Sequence, residues 1–441
     1  MLSENQHGFR KKRSCMTQLL SHVEKIYESL NKDEEVDVIY LDFAKAFDKV
    51  DHQVLLAKLE RYGIGGQALG WLREFLLNRK QAVVVEGQRS SLQTVLSGVP
   101  QGTVLGPVLF VLYINDLLDS IKSNNGLGFA DDTKLIGAIK DALGSAALQE
   151  ELNQVIKWAE NNNMQLHEQK FDVLSYSLNK TKEHREMIKL FPLYAETVVY
   201  TTPKGHVITP KETVRDLGVH VSSSRSWGPH IEKTVQSARK MAAWTLSAFR
   251  DRSATVMLTL YKSMVRSKLE YCCPVWNPTK IGEIQKLEDV QRAFTRRVSG
   301  CRDLMYWDRL KRLKIMSLQR RRERYCLINV WKILNGHAPN DVGMQFETRE
   351  RHGIKAMIPP TSKVAQLSVR SDYDRSFKIR AAQLWNLLPA VTGKLGNLDS
   401  FKIGLCRFLE QYPDTPPVTG YTPANDNSLL SWRWTSMRPL T

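Results

Sequence analysis

The sequence predicts an α+β (or α/β) sheet domain reaching to about residue 222, followed by a mainly helical half. Three observations carry this. Through the first half, short apolar and β-branched runs alternate with amphipathic segments, and a hairpin pattern follows. From about Gly228 the apolar residues instead recur every 3.6 positions. The balance of 42% hydrophobic and 25% charged residues over 441 positions is that of a folded chain with two or three cores.

In chain order, residues 6–13 form a basic loop, and Met16–Leu30 reads as a helix with Leu19, Leu20, Val23, Ile26, Tyr27 and Leu30 on one side. Val36–Phe43 is a buried strand ending at Asp42. Asp51 can cap a helix from His52 to about Arg61. Another helix spans Ala68–Leu77, and Ala82–Glu86 with Leu92–Leu96 reads as a hairpin. The glycines of Gly98-Val-Pro-Gln-Gly102 let backbone approach a ligand and lead into the helix Val104–Ile121. Leu127–Ala130 and Thr133–Ile136 are expected as strands joined by the two-residue loop Asp131-Asp132. A helix Ala146–Asn161 and a strand-like return, Met164–Ser177, complete the sheet domain. Region 302–336 holds ten Lys/Arg against three acids, a net of +7. Its run Arg320-Arg-Arg322 reads either as a solvated helix face or as a phosphate-tracking groove. Residues 413–441, rich in proline, read as a loose tail.

Sixty-three Lys+Arg against 46 Asp+Glu leave a formal charge of +17, which points to a polyanionic partner, nucleic acid before membrane. Six cysteines without CxxC or Cys/His spacing indicate neither a disulfide framework nor a zinc knuckle. The N-terminus has no apolar signal core, and the longest nearly apolar run, Val104–Ile114, is too short to span a bilayer. The expectation is an intracellular chain, in the nucleus or cytoplasm.

An Asp-Asp pair alone is an ordinary turn. It gains meaning from Asp42, which ends another strand, because neighbouring strands could gather the three carboxylates. Two divalent ions activating a 3′-OH and steadying pyrophosphate need such a cluster.

Three stretches then stand in the order of reverse-transcriptase motifs: Leu41-Asp-Phe-Ala-Lys-Ala-Phe-Asp-Lys-Val-Asp-His52, Ser97-Gly-Val-Pro-Gln-Gly102 with the helix behind it, and Phe129-Ala-Asp-Asp132. Their wording resembles the non-LTR (LINE-type) retrotransposon polymerases, close to the jockey-like group. The likeness runs from about Gln6 to Ser222 and continues more loosely to about residue 340. It implies a right-hand polymerase: a fingers remnant over 1–35, a palm over 36–222 with fingers-side helices at 52–80, a helical thumb over 228–300, and a basic helical region over 301–412.

The resemblance also implies roles. Asp42 and Asp131 would hold the metals, two Mg²⁺ with Mn²⁺ as a substitute, with Asp132 adjoining and Phe43 offering its backbone carbonyl. Phe47 would exclude a ribose 2′-OH, although core packing alone would account for it. Gln101 and Gly102 would lie along the nucleotide, and Arg10 belongs to the remaining triphosphate-side region. Lys170, in Leu166-His-Glu-Gln-Lys170, would protonate pyrophosphate, with His167 in place of the family's usual Asn. Leu217 and Gly218 would form a primer-grip turn, and Arg320, Arg321 and Arg322 would contact the duplex. The implied partners are an RNA template, a DNA primer or target, and deoxynucleoside triphosphates, held in a ribonucleoprotein. Only 41 residues precede Asp42, so most of the fingers are expected to be missing. The alternative is therefore a truncated, inactive remnant acting at most as an RNA- or DNA-binding protein.

Overall fold

Four antiparallel strands organise the first half: β1 (Glu35–Leu41), β2 (Gly126–Phe129), β3 (Asp132–Ile139) and β4 (Asp172–Tyr176), in the order β2-β3-β1-β4. The computed structural model describes residues 2–121, 126–177, 199–340, 345–351, 354–358, 372–393, 396–421 and 427–431. Its contacts divide the chain into two compact units, Met1–Gln18 with Lys32–Leu217, and Leu19–Asn31 with Gly218–Thr441.

In the first unit β1 is central. It pairs with β3 from Glu35↔Ile139 to Leu41↔Thr133 and with β4 from Val36↔Tyr176 to Tyr40↔Asp172. Val36, Val38 and Ile39 are all fully buried. Burial on both faces explains why this strand reads as one apolar run rather than an alternation. Helix α1 (Cys15–Leu30) precedes the sheet in sequence and from Leu19 onward belongs to the second unit, whereas α2 (His52–Arg61), α3 (Gly66–Leu76) and α4 (Leu105–Ser120) follow β1 within the first. Asp51 caps α2 as expected, its carboxylate accepting from the Gln53 and Val54 amides. Helix α5 (Ala142–Asn161) lies on β3, where a side chain at Gly137 would meet Leu148 at 2.8 Å. The shared core includes Ile39, Leu41, Phe110, Tyr113, Leu152 and Val155.

Each edge of the sheet is met by a further segment at one isolated bridge. Beside β2, Gln6 bridges Gly128 in parallel; the His7 amide donates to the Gly128 carbonyl at 2.8 Å and the Gly128 amide to Asn5 at 3.0 Å. Beside β4, Val173 is bridged by Pro210, and the Lys211 amide donates to the Val173 carbonyl at 2.8 Å.

Several expectations are corrected. The hairpin loop is Ala130-Asp131, not Asp131-Asp132, because Phe129 pairs with Asp132 and Ala130 takes the left-handed conformation at φ 56°. The Met164–Ser177 return is extended only over Asp172–Tyr176, with Lys170 closing a 3₁₀ turn at Glu168–Lys170. The hairpin near residue 87 consists of two short pairings, Lys80–Gln81 with Gln93–Thr94 and Val84–Val85 with Gln88–Arg89.

The second unit is helical over α6 (Gly228–Ala248), α7 (Ile281–Thr295), α8 (Leu318–Leu334), α9 (Phe377–Trp385) and α10 (Leu398–Leu409). Trp276, Trp331 and Phe401 are fully buried in it. The described part of the C-terminal stretch is packed rather than loose: Asp414 accepts from the Ser317 amide at 2.7 Å, while Val418, Asn427 and Leu429 are buried. Residues 422–426 and 432–441 of that stretch lie outside the described residues. No helix among the described residues is long and apolar enough to cross a membrane.

Candidate active site

Asp42 stands one residue beyond the end of β1, and Asp131 and Asp132 stand where β3 begins. Because Leu41 pairs with Thr133, the ladder itself brings these acids to neighbouring strand ends. Past β1 the chain pairs with 165–167: the Ala44 amide donates to the Gln165 carbonyl and the His167 amide to the Asp42 carbonyl, both at 2.8 Å. Strand alternation then turns the Phe43 carbonyl to the opposite side, that of β3. The Phe43 ring is buried edge-on to Trp158.

The electrostatics are those of crowded acids. Partial burial, with the charge of Asp42, holds the Asp131 carboxyl above the usual range. Asp132 is exposed, yet the protein around its carboxyl, then Asp131 and Asp216, push it up to about 6 against the pull of Lys134. The Lys170 ammonium lies 3.0 Å from Asp42 Oδ2 as its ion partner. Among the described residues no three His, Cys, Asp or Glu side chains converge closely enough to enclose one ion. The donors nevertheless fit a hard divalent cation by type, being carboxylate and carbonyl oxygens under mutual repulsion.

Phe47 lies in the 3₁₀ turn Ala46–Asp48, half-buried, stacked on Phe110 at 4.1 Å and edge-on to Phe9 at 6.2 Å. The Gly98–Gly102 loop is bound to this turn. The Val99 amide donates to the Phe47 carbonyl at 2.9 Å, and the Gln101 amide nitrogen to Asp48 Oδ1 at 2.8 Å. Gly98 has φ 88°, and a Cβ there would sit 2.8 Å from Asp48 Cα, so the close approach requires glycine. Gly102, at φ 80°, faces open space.

The remaining candidates are placed differently. Arg10 is engaged by Ser3 and Gln6 carbonyls and pairs with Glu4 at 3.2 Å, so its guanidinium is committed to the N-terminal loop. Leu217 and Gly218 both have positive φ, 43° and 84°, a tight turn between Thr213–Asp216 and Val219–Ser222. The reading of Arg320, Arg321 and Arg322 as duplex contacts is overturned by the burial of Arg320 and Arg322 and by the ion pair that engages Arg321. Arg320 donates to the Pro413 and Asn427 carbonyls at 3.0 Å, and Arg322 to Asn277 at 3.0 Å; both are at most 1% exposed. Arg321 is held by both oxygens of Glu270.

Two features escape a reading by motif. Lys134 is buried in β3, paired with Asp216 and hydrogen-bonded to Gln18 at 3.1 Å. Its sequence signal was a lone lysine inside an apolar strand. Gln6 is buried against Ala130, and nothing in its surroundings marks it apart from the loop in which it stands.

A family profile described as reverse transcriptase (RNA-dependent DNA polymerase) matches residues 1–221. The probable RNA-directed DNA polymerase from transposon X-element of Drosophila melanogaster is 26% identical over 68% of this chain and 32% of its own length. The RNA-directed DNA polymerase from mobile element jockey of the same organism is 27% identical over 67% of this chain and 32% of its own. A telomerase from Candida albicans, solved with a fragment of telomeric RNA, superposes with a TM-score of 0.31 at 11% identity, over 70% of this chain and 55% of that one. The chain spans about a third of the length of the curated relatives it matches. With half its length matched by the family profile, and with the acids of that family's motifs at neighbouring strand ends, the chain belongs to the reverse transcriptases, and its relatives are the non-LTR retrotransposon polymerases of Drosophila.

Proposed function

We propose that this chain is the polymerase portion of a non-LTR retrotransposon protein, adding deoxynucleotides to a primer 3′-OH on an RNA template. The observation that carries the reading is the placement of Asp42 and Asp131 at neighbouring ends of one sheet, with Lys170 beside Asp42. In this reading β1–β4 form the palm, α2 and α3 lie on the fingers side, and the helices after Gly228 act as the thumb.

Asp42, Asp131 and the Phe43 carbonyl would hold the divalent ions, Mg²⁺ or Mn²⁺, with Asp132 adjoining. Those ions supply Lewis acidity to the attacking and leaving oxygens. The chain's own residues do the rest. The Phe47 ring, braced on Phe110, closes the space where a 2′-OH would sit. Gln101, tied to Asp48, orients the loop along the incoming nucleotide. Lys170 gives a proton to the departing pyrophosphate. The Leu217-Gly218 turn steadies the primer end.

The test is primer extension on an RNA template with Mg²⁺ or Mn²⁺, wild type against Asp131→Asn. Extension by wild type, and its loss by at least about 100-fold in the variant, is the expected result. Equal incorporation by both would refute the assignment.

A further inference from the structure

The hairpin carrying Asp131 turns through Ala130, a residue with a Cβ in the left-handed region at φ 56°. Such a conformation costs on the order of 1 kcal/mol or more and persists only when its surroundings fix it. They do so through one side chain. Gln6 Oε1 accepts from the Ala130 amide at 2.9 Å and from the Gly8 amide at 2.7 Å, and Gln6 Nε2 donates to the Ala130 carbonyl at 3.3 Å. Both backbone groups of the strained residue are therefore satisfied by a single carboxamide, itself 1% exposed. The oxygen faces two donors and the nitrogen an acceptor, so the amide orientation is set by its partners.

The backbone on either side tightens the grip. His7 and Asn5 exchange hydrogen bonds with Gly128, two residues before Ala130. At Gly8 a Cβ would lie 2.2 Å from the Ala130 nitrogen, with backbone atoms of Phe129 and Ala130 at 3.0 Å. No side chain fits there without moving the hairpin.

We infer that Gln6 is a positioning residue for the polymerase centre: its carboxamide, with the close approach of Gly8, fixes the Ala130 turn and so the direction of the Asp131 carboxylate. The inference rests on the polymerase reading only for its consequence in catalysis. The clasp itself is a property of the fold. Asp131 and Asp132 are adjacent like charges, and a two-residue turn left unheld would let them splay. Only an amide serves, because glutamate would set a second oxygen against the Ala130 carbonyl, and methionine would fill the space while offering no hydrogen bond.

The experiment compares wild type, Gln6→Met, Gly8→Ala and Asp131→Asn. Mn²⁺ affinity is read by electron paramagnetic resonance, primer extension is resolved into kcat and KM, and amide exchange is followed at Ala130 in the wild type. Gln6→Met should weaken Mn²⁺ binding about 10-fold and lower kcat by a similar or larger factor, as partners behind metal ligands commonly do, with KM for primer–template unchanged. Gly8→Ala should give the same pattern although Gln6 is intact. A merely space-filling role would be preserved by methionine, so a Gln6→Met protein within twofold of wild type in Mn²⁺ affinity and kcat overturns the inference. So does an Ala130 amide in wild type that exchanges at the unprotected rate, a result that needs no variant to fold. If wild type and Asp131→Asn both fail to extend primers while the Ala130 amide is protected and Gln6→Met alters Mn²⁺ binding, the polymerase reading falls and the clasp stands.

Discussion

Replacing Lys134 by methionine should destabilise the first unit more than any change at its surface. The lysine side chain is 2% exposed and that of its partner Asp216 is 4% exposed. Burial pulls the Lys134 ammonium below its ordinary pKa, while the Asp216 carboxylate, paired with it, pulls the other way. The Gln18 side-chain oxygen lies 3.1 Å from the ammonium and the Tyr40 ring centre 5.6 Å from it, with the Asp132 charge also acting on it. Methionine matches the stem but leaves Asp216 charged, buried and without its cation, a situation that costs about 3–5 kcal/mol. For a unit of roughly 200 residues each kcal/mol lowers the melting temperature by about 2–4 °C, so a drop of roughly 6–20 °C follows. The double variant Lys134→Met/Asp216→Leu removes the orphaned charge and should recover most of the loss, with a coupling of at least about 2 kcal/mol. Thermal and urea melts followed by circular dichroism read both quantities. Lys211→Met, which removes a loose 3.9 Å pair with Asp172 whose side chains are 50% and 33% exposed, serves as the control and should leave the melt where it is. A Lys134→Met loss below about 1 kcal/mol, or a double variant as unstable as the sum of the singles, would refute the reasoning.

Three further outcomes are expected. Phe47→Ala should cost roughly 1–3 kcal/mol, less than a fully buried phenylalanine, and lower deoxyribonucleotide-over-ribonucleotide selectivity at least about 10-fold in single-nucleotide incorporation; unchanged selectivity would leave Phe47 a packing residue. Arg322→Met should leave the salt dependence of nucleic-acid binding unaltered, whereas a slope smaller by about one would restore it as a phosphate contact. Glu24 is pushed up to about 8 by burial, with the Lys378 amide donating to it. The native state thus keeps a proton that the unfolded chain releases near 4.5, so this stability is present below that value and is lost as pH rises towards 8. Glu24→Gln should remove this slope and melt above wild type at pH 8, by an amount on the order of a few kcal/mol; parallel pH curves for the two proteins would contradict it.

What could be read from the sequence follows from which forces are local. Asp42, the Asp131-Asp132 pair, the Gly98–Gly102 loop and the Asp51 cap are short motifs whose meaning survives without tertiary context. The one-residue shift of the hairpin turn was hidden because Asp-Asp is as good a turn as Ala-Asp, and β3 is buried over Thr133–Gly137, so no polar alternation marks its register. Arg320 and Arg322 were misread because charge suggests solvent, whereas their partners, Pro413, Asn427 and Asn277, stand 45 to 107 positions away. Lys134 is the same problem in the sheet, its counter-charge lying 82 residues on.

The segments that meet the margins of the four-stranded sheet carry a consequence for how the sheet can pair with other chains. An open strand margin offers a row of unpaired amides and carbonyls to any passing extended segment, its own copies included. Here residues 5–7 occupy one margin, and Pro210, which has no amide hydrogen, lies along the other. Among the described residues, the central strand Glu35–Leu41 is thus separated from either margin by a paired strand, and each margin is itself met by a further segment.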